Sequence, residues 1–250
     1  MKNLALAFAC IFIFLSGCAY VEPLVSQFNI ISVPQEVEMG KQLSAEVAKQ
    51  MPVVGNTADA DRVRRIGARL VQALPRRDFP YAFHVVEERS PNAFTIPGGS
   101  IYVHTGLIQF VEDDDELAGV MAHELGHAYD RHPANSLSRA YGAEYLSNLI
   151  FGKNQTKMSG IALQFARGSL LLRYGREDEL RADEIGHSLL SRAGFRTDGL
   201  LRFFRKLQTI EGRGTPIPFL STHPPTAERI ARLEALERSR PAMAPPRAAA

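Results

Sequence analysis

The chain has 250 residues, 45% of them apolar and 22% charged, with a formal net charge of +2. That is the composition of a globular protein with enough material for one large domain or two small ones. A near-neutral balance without a basic stripe excludes a nucleic-acid partner and a general affinity for anionic membranes.

The opening stretch, MKNLALAFACIFIFLSGCAY, has a lysine, an apolar run from Leu4 to Leu15, and then small residues. The run is too short for a good transmembrane span and reads as an export signal, with a permanent signal anchor as the alternative. Its ending, LSGC, resembles the bacterial lipoprotein box. That resemblance implies that residues 1–17 are removed, that Cys18 is lipidated, and that 18–32 form the lipidated cysteine and tether. Ala19 after the cysteine implies the periplasmic face of a bacterial envelope, at the outer membrane. The second cysteine, Cys10, leaves with the signal, so no thiol remains for a disulfide and the core must hold the fold.

A helix begins at Pro34, with Val37, Gly40, Leu43 and Val47 at helical spacing. A second is expected over 59–74, with Val63, Ile66, Leu70 and Leu74 on one stripe and Pro75 ending it. YAFHVVEE, from Tyr81, reads as a strand, Pro97-Gly98-Gly99 as a turn, and SIYVH as a second short strand. From Asp114 helices dominate. The first has an acidic opening turn that suits the helix dipole, and further helices are expected over 136–151, 158–173, 176–193, 197–210 and 226–238. Residues 33–238 then form a single domain, and the Pro/Ala-rich stretch 239–250 has too little to bury. The fold class is α+β, mostly helical with a small sheet.

The chemistry centres on VMAHELGHAYDRHP. On the helix from Asp114, His123 and His127 stand four apart and share one face, where two imidazoles can bind one tetrahedral zinc. Glu124 lies beside the first, placed to take a proton from water; this is the HExxH pattern. Zinc needs a third protein ligand. His132 fails the metzincin spacing, because Asp130 stands at the glycine place and Pro133 at the histidine place, which leaves it a helix-end or surface histidine. Glu179 and Asp183 are again four apart on an expected helix. Glu179 can reach the metal while Asp183 holds a ligating histidine from behind. A solvated acidic face paired with arginines is the alternative. Glu177, Asp178 and Glu184 read as such a face, and His187 as a ligand or a structural histidine.

Four blocks, NAFTIPGGSIYVHTGL, HELGHAYDRH, REDELRAD and STHPPTAERI, together span 92–230, and EMGKQL precedes them. In order and spacing they resemble the zinc metallopeptidases of the HtpX and CAAX prenyl protease family, especially its soluble, lipid-anchored periplasmic members. The resemblance implies a zincin-like domain with its small sheet beside the active-site helix. It implies one zinc per chain held by His123, His127 and Glu179, Glu124 as catalytic base and Asp183 behind a ligand. His223 would approach the site, to stabilise an oxyanion or to occupy the open metal position at rest; a lone loop histidine is the alternative. SIYVH would be the family's edge strand, with Ser100, Ile101, Tyr102 and Val103 binding an extended polypeptide substrate by strand addition; an interior strand is the alternative. Gly175 departs from the serine common before the arginine of the third block. The segment between the two ligand helices, with IALQF and SLLL, is too short and polar to cross a bilayer.

The function expected is zinc-dependent endopeptidase action on unfolded or misassembled cell-envelope proteins. The rival is an envelope chaperone or assembly factor with latent or rare proteolysis. The sequence specifies no oligomeric state.

Overall fold

The computed structural model describes residues 30–151, 155–167, 174–211 and 217–239. The signal, Cys18, residues 19–29 of the expected tether, the SLLL stretch and the tail beyond Ser239 lie outside the described residues; the last tether residues belong to the domain, with Ile31 buried in an apolar cluster and Ser32 at a helix start.

Helix α1 (Val33–Gln50) starts at Ser32, whose amide donates to Gln35 Oε1 at 2.9 Å, and Pro34 sits in the first turn, where a missing N–H costs nothing. Its buried face is Glu36, Met39, Gly40, Leu43, Glu46 and Val47. The expected stripe is therefore rotated slightly, with Met39 inside and Val37 half-buried. Helix α2 (Ala58–Gln72) is capped by Thr57, which accepts from the Ala60 amide at 3.2 Å, and buries Val63, Ile66 and Leu70 as expected.

The sheet contains β1 (Val53–Val54), β2 (Ala82–Val86), β3 (Ala93–Thr95) and β4 (Ser100–His104), in the order β1-β2-β4-β3. Strands β2 and β4 are parallel, and β3–β4 is an antiparallel hairpin with Phe94 opposite Tyr102. Gly98 and Gly99 make the hairpin turn at φ +85° and +91°, values that glycine adopts without strain. The hairpin corrects one expectation. SIYVH is an interior strand, bonded to β2 on one side and β3 on the other, so Ser100, Ile101, Tyr102 and Val103 have no free backbone edge. The edges are β1 and β3, whose two and three residues are too few to show a strand period in the sequence.

Alternate sheet residues feed two apolar clusters. Val85, Ala93, Ile101 and Val103 pack with α2 and with α4 (Asp114–Tyr129), α7 (Arg176–Arg192) and α8 (Gly199–Glu211). Phe94, Ile96 and Tyr102 pack with α1, α5 (His132–Phe151) and α6 (Gln155–Arg167). Short helices α3 (Thr105–Phe110) and α9 (Pro218–Thr222) were not legible in the periodicity, and α10 (Ala227–Arg238) closes the described chain. Helix α5 kinks at Gly142, at φ +73°. No helix among the described residues is long and apolar enough to cross a membrane.

Helix α4 is the centre. Asp113 caps it, accepting from the Glu116 amide at 2.8 Å, and every residue from Glu116 to Ala128 is buried. A helix buried all round must meet its neighbours closely on several sides. It meets α7 through small residues: a Cβ on Gly126 would lie 2.8 Å from the Ala182 oxygen, and one on Gly186 would lie 3.1 Å from Ala122 carbon. Gly126→Ala should therefore push α4 and α7 apart. The expected cost is about 1–3 kcal/mol, or roughly 2–12 °C in melting temperature; an unchanged melting curve would refute the close-packing argument.

Candidate active site

The HExxH turn lies in the C-terminal half of α4 and the ExxxD pair in the first turns of α7, so the crossing of these helices brings both pairs together. His123 and His127 are fully buried, with their Nε2 atoms 3.1 Å apart. Glu179, 3% exposed, places its carboxylate 3.5 Å from His123 Nε2 and 3.6 Å from His127 Nε2. His223, from the turn after α9, completes the group: its Nδ1 is 3.2 Å from His123 Nε2 and 3.0 Å from Glu179 Oε1. These four residues offer ligand atoms that all lie within 4.8 Å of one another.

The donor set fits a metal. Ligand atoms at the usual zinc distances in a tetrahedron stand about 3.3 Å from each other, and the separations here bracket that value. The charge also fits. Fully buried Glu124, Glu179 and Asp183, if ionised, carry three negative charges against the one positive charge of buried Arg229. A divalent cation bound by neutral imidazoles balances the remaining two. Glu124 Oε1 is buried without a hydrogen-bond partner among the described residues, facing His223 Nε2 at 3.4 Å.

Around this group the chain supplies its own supports. Asp183 Oδ1 stands 2.9 Å from His123 Nδ1, the ring nitrogen turned away from the other donors. Arg229 grips Asp183 with a two-bond fork, both at 2.7 Å, reaches Glu179 Oε2 at 2.7 Å, and donates to the Pro224 carbonyl at 3.1 Å. One guanidinium thus ties both carboxylates of α7 to the turn that carries His223. Thr95, on the edge strand, donates to Glu124 Oε2 at 2.9 Å. Tyr174 stacks on the His127 ring with centroids 3.9 Å apart.

Burial dominates the electrostatics. It pushes the Glu124 carboxyl up and holds His127 well below the ordinary histidine value. Burial opposes the charged form of His123 too, but the Asp183 and Glu179 carboxylates outweigh it and raise His123 to about 9. A metal entering there must displace a proton. Glu179 and Asp183 are buried too, yet their neighbours hold both carboxyls down. His223 and Arg229 hold Glu179 well below the carboxylate range, and Arg229 lowers Asp183.

The structure thus gathers His123, Glu124, His127, Glu179, Asp183 and His223 in one place. Ser100, Ile101, Tyr102 and Val103 belong to the interior strand described above, and Cys18 lies outside the described residues. His132 stands at a helix end and outside the donor group, as expected, but it is buried rather than at the surface: it is 5% exposed, and its Nδ1 is 2.8 Å from His127 Nδ1. Asp178, read as part of a solvated face, contacts His132 Nε2 at 3.6 Å and accepts from the Gly175 amide at 3.0 Å. That last bond caps α7 without the serine. Glu177 and Glu184 pair with Arg176 and Arg232 as expected. His187 stands away from the donors and binds Glu237 Oε1 at 2.7 Å, tying α7 to α10. Sequence reasoning missed Arg229, Thr95 and Tyr174; Arg229 lay inside a quoted block, but nothing local marks an arginine as buried.

Residues 57–237 match the sequence model of Peptidase family M48. The chain belongs to that family. Among M48 relatives it is 29% identical over 215 residues to the mitochondrial metalloendopeptidase OMA1 of Schizosaccharomyces pombe, covering 83% of this chain and 63% of the relative. It is 28% identical over 213 residues to the beta-barrel assembly-enhancing protease of Yersinia pestis, covering 80% and 43%. To the metalloprotease YcaL of Escherichia coli it is 30% identical over 158 residues, covering 60% and 59%. The chain therefore spans between two fifths and two thirds of the length of these M48 relatives.

Arg229→Met should destabilise the protein by about 3–5 kcal/mol, because it leaves Asp183 and Glu179 buried without their cation. Urea unfolding measures this, and a midpoint within error of wild type would show that the fork carries no net stability.

Proposed function

We propose that this chain is a zinc-dependent endopeptidase acting on unfolded or misassembled proteins of a bacterial envelope, and that its site is closed at rest. The observation that carries the reading is the buried group of four donors with Glu124 beside it. His123, His127 and Glu179 would hold the metal. Bound zinc would supply Lewis acidity, polarising the scissile carbonyl and bringing the pKa of water to about 7.

The chain's own groups do the rest. Thr95 fixes one oxygen of Glu124 and leaves Oε1 free, so the carboxylate is held with one lone pair aimed into the site. Its raised pKa suits a base that takes a proton from the attacking water and passes it to the leaving amine near neutral pH. The edge strand β3, all three residues of which are buried at rest, would present the substrate once the site opens. The Asn92 carbonyl and the Ile96 amide bond back to β4, so in an antiparallel pair the backbone groups of Ala93 and Thr95 face outward. An extended peptide adding there, rather than on β4, would lie beside Glu124, because Thr95 touches both. Recognition through main chain favours unfolded segments over any one side-chain sequence.

His223 gives the resting state. As a fourth protein donor it would take the position that a catalytic zinc otherwise leaves open. It is held there by packing on Phe219, with ring centroids 4.8 Å apart, and by Arg229 on the Pro224 carbonyl. Turnover then requires this turn to withdraw. The same closure suits the second reading, an assembly factor that cuts rarely, and relatives named for enhancing β-barrel assembly support an envelope substrate class. The HtpX-like branch, the lipid anchor at Cys18 and the outer-membrane location rest on the sequence motifs.

One experiment tests site and closure together. Zinc content and casein cleavage would be measured for wild type, Glu124→Gln and His223→Ala. One zinc in all three, no cleavage by Glu124→Gln and faster cleavage by His223→Ala than by wild type are expected. Absence of zinc would sink the reading, and slower cleavage by His223→Ala would assign His223 to the oxyanion instead. Separately, Cys18→Ser should move the protein from the membrane to the soluble fraction; persistent membrane association would refute the anchor.

A further inference from the structure

A metal-binding imidazole needs its second ring nitrogen fixed, because that nitrogen's partner sets both the tautomer and the ring orientation. For His123 the partner is Asp183. For His127 the resemblance assigns no such partner, and no carboxylate contacts its Nδ1 among the described residues.

We propose that His132, backed by Asp178, is the positioning partner of His127. This rests on His127 being a metal ligand through Nε2, as read above. The geometry fixes the direction of the relay. His127 Nε2 points at the other donors, 3.1 Å from His123 Nε2 and 3.6 Å from Glu179 Oε1, so it must be the bare nitrogen and Nδ1 must carry the hydrogen. That hydrogen is donated to His132 Nδ1 at 2.8 Å. His132 Nδ1 is then an acceptor, and its own hydrogen sits on Nε2, facing Asp178 Oδ1 at 3.6 Å. This last contact is electrostatic rather than a hydrogen bond.

Asp178 does not float. It accepts from the Gly175 amide at 3.0 Å and from Arg139 at 3.3 Å. It thereby caps the helix that delivers Glu179 one residue later. His132 is held as firmly: it is the first residue of α5, reached from α4 through Arg131 at φ +61°. Arg131 in turn bonds Glu36 on α1 at 2.7 Å, so the tight link between the helices is pinned from outside. Tyr174 packs on the His127 face at 3.9 Å, leaving the ring little freedom to find another partner. The two ligands of the HExxH turn are thus oriented by different chemistry, His123 by a carboxylate and His127 by a neutral imidazole.

Asparagine and glutamine separate this role from bulk packing. The side-chain oxygen of asparagine can stand where His132 Nδ1 stands and accept from His127; the longer glutamine places its amide near the Nε2 position instead. Zinc affinity would be measured by competition with a chelator on wild type, His132→Asn, His132→Gln and Asp178→Asn. The absorption bands of the cobalt-substituted proteins would report ligand geometry, and circular dichroism would report folding. Expected is a roughly 10–100-fold weaker affinity and a shifted cobalt spectrum for His132→Gln, with His132→Asn close to wild type. Asp178→Asn, which can still cap α7, should fall between. Equal affinities and unaltered spectra for His132→Gln and wild type would overturn the proposal, as would equal losses in the asparagine and glutamine variants. A wild-type protein that takes up no zinc would instead overturn the metal site itself.

Discussion

The structure depends on how closely α4 and α7 approach. His123 and His127 sit on one helix, Glu179 and Asp183 on the other, and their side chains are short enough that an extra ångström would break the group. Small residues at the crossing, Gly126 and Ala122 on α4 with Ala182 and Gly186 on α7, permit the distance. Around them the apolar cluster of α2, α4, α7 and α8 supplies the burial that holds the helices together. Ionisable groups placed in such a core are tolerable only if each finds a partner, and that requirement accounts for most of the polar architecture around them.

Arg229 is the clearest case. It is 1% exposed, and it compensates two carboxylates at once while bonding the backbone of the turn that follows His223. The position of the α7 carboxylates and the position of the plug-like histidine are therefore coupled through one side chain. Any displacement of the His223 turn has to be absorbed at Pro224 or transmitted to Glu179. The turn that carries His223 and the carboxylate of Glu179 are thus tied together by one side chain.

The sheet has a second role besides separating two apolar clusters. Its hairpin places a three-residue edge beside the central helix, and Thr95 joins the strand to Glu124 through one hydroxyl. A peptide added to that edge, as proposed, would be registered against Glu124 by the same residue that orients its carboxylate. On the opposite face, α1, α5 and α6 pack over Phe94 and Tyr102, and Glu36 fixes the link that carries Arg131 and His132.

The sequence by itself determined the parts whose signal is local. The long helices followed from 3.6-residue spacing and caps, β2 and β4 from their apolar runs, and the pairs His123/His127 and Glu179/Asp183 from i,i+4 geometry, which puts both members on one face before any fold is known. Gly98 and Gly99 announced their turn. What the tertiary structure alone decided was everything that depends on elements meeting. Strands β1 and β3 are too short to carry a period, so the choice between an edge and an interior position for SIYVH lay in strand pairing rather than in its residues. His132 has the local look of a helix-end histidine, and only the turn at Arg131 brings it back to His127. Arg229 resembles any exposed helical arginine until α10 lays it against α7. Spacing along a chain fixes which side chains share a face; which faces are pressed together, and therefore which charges are buried and must be answered, is settled only by packing.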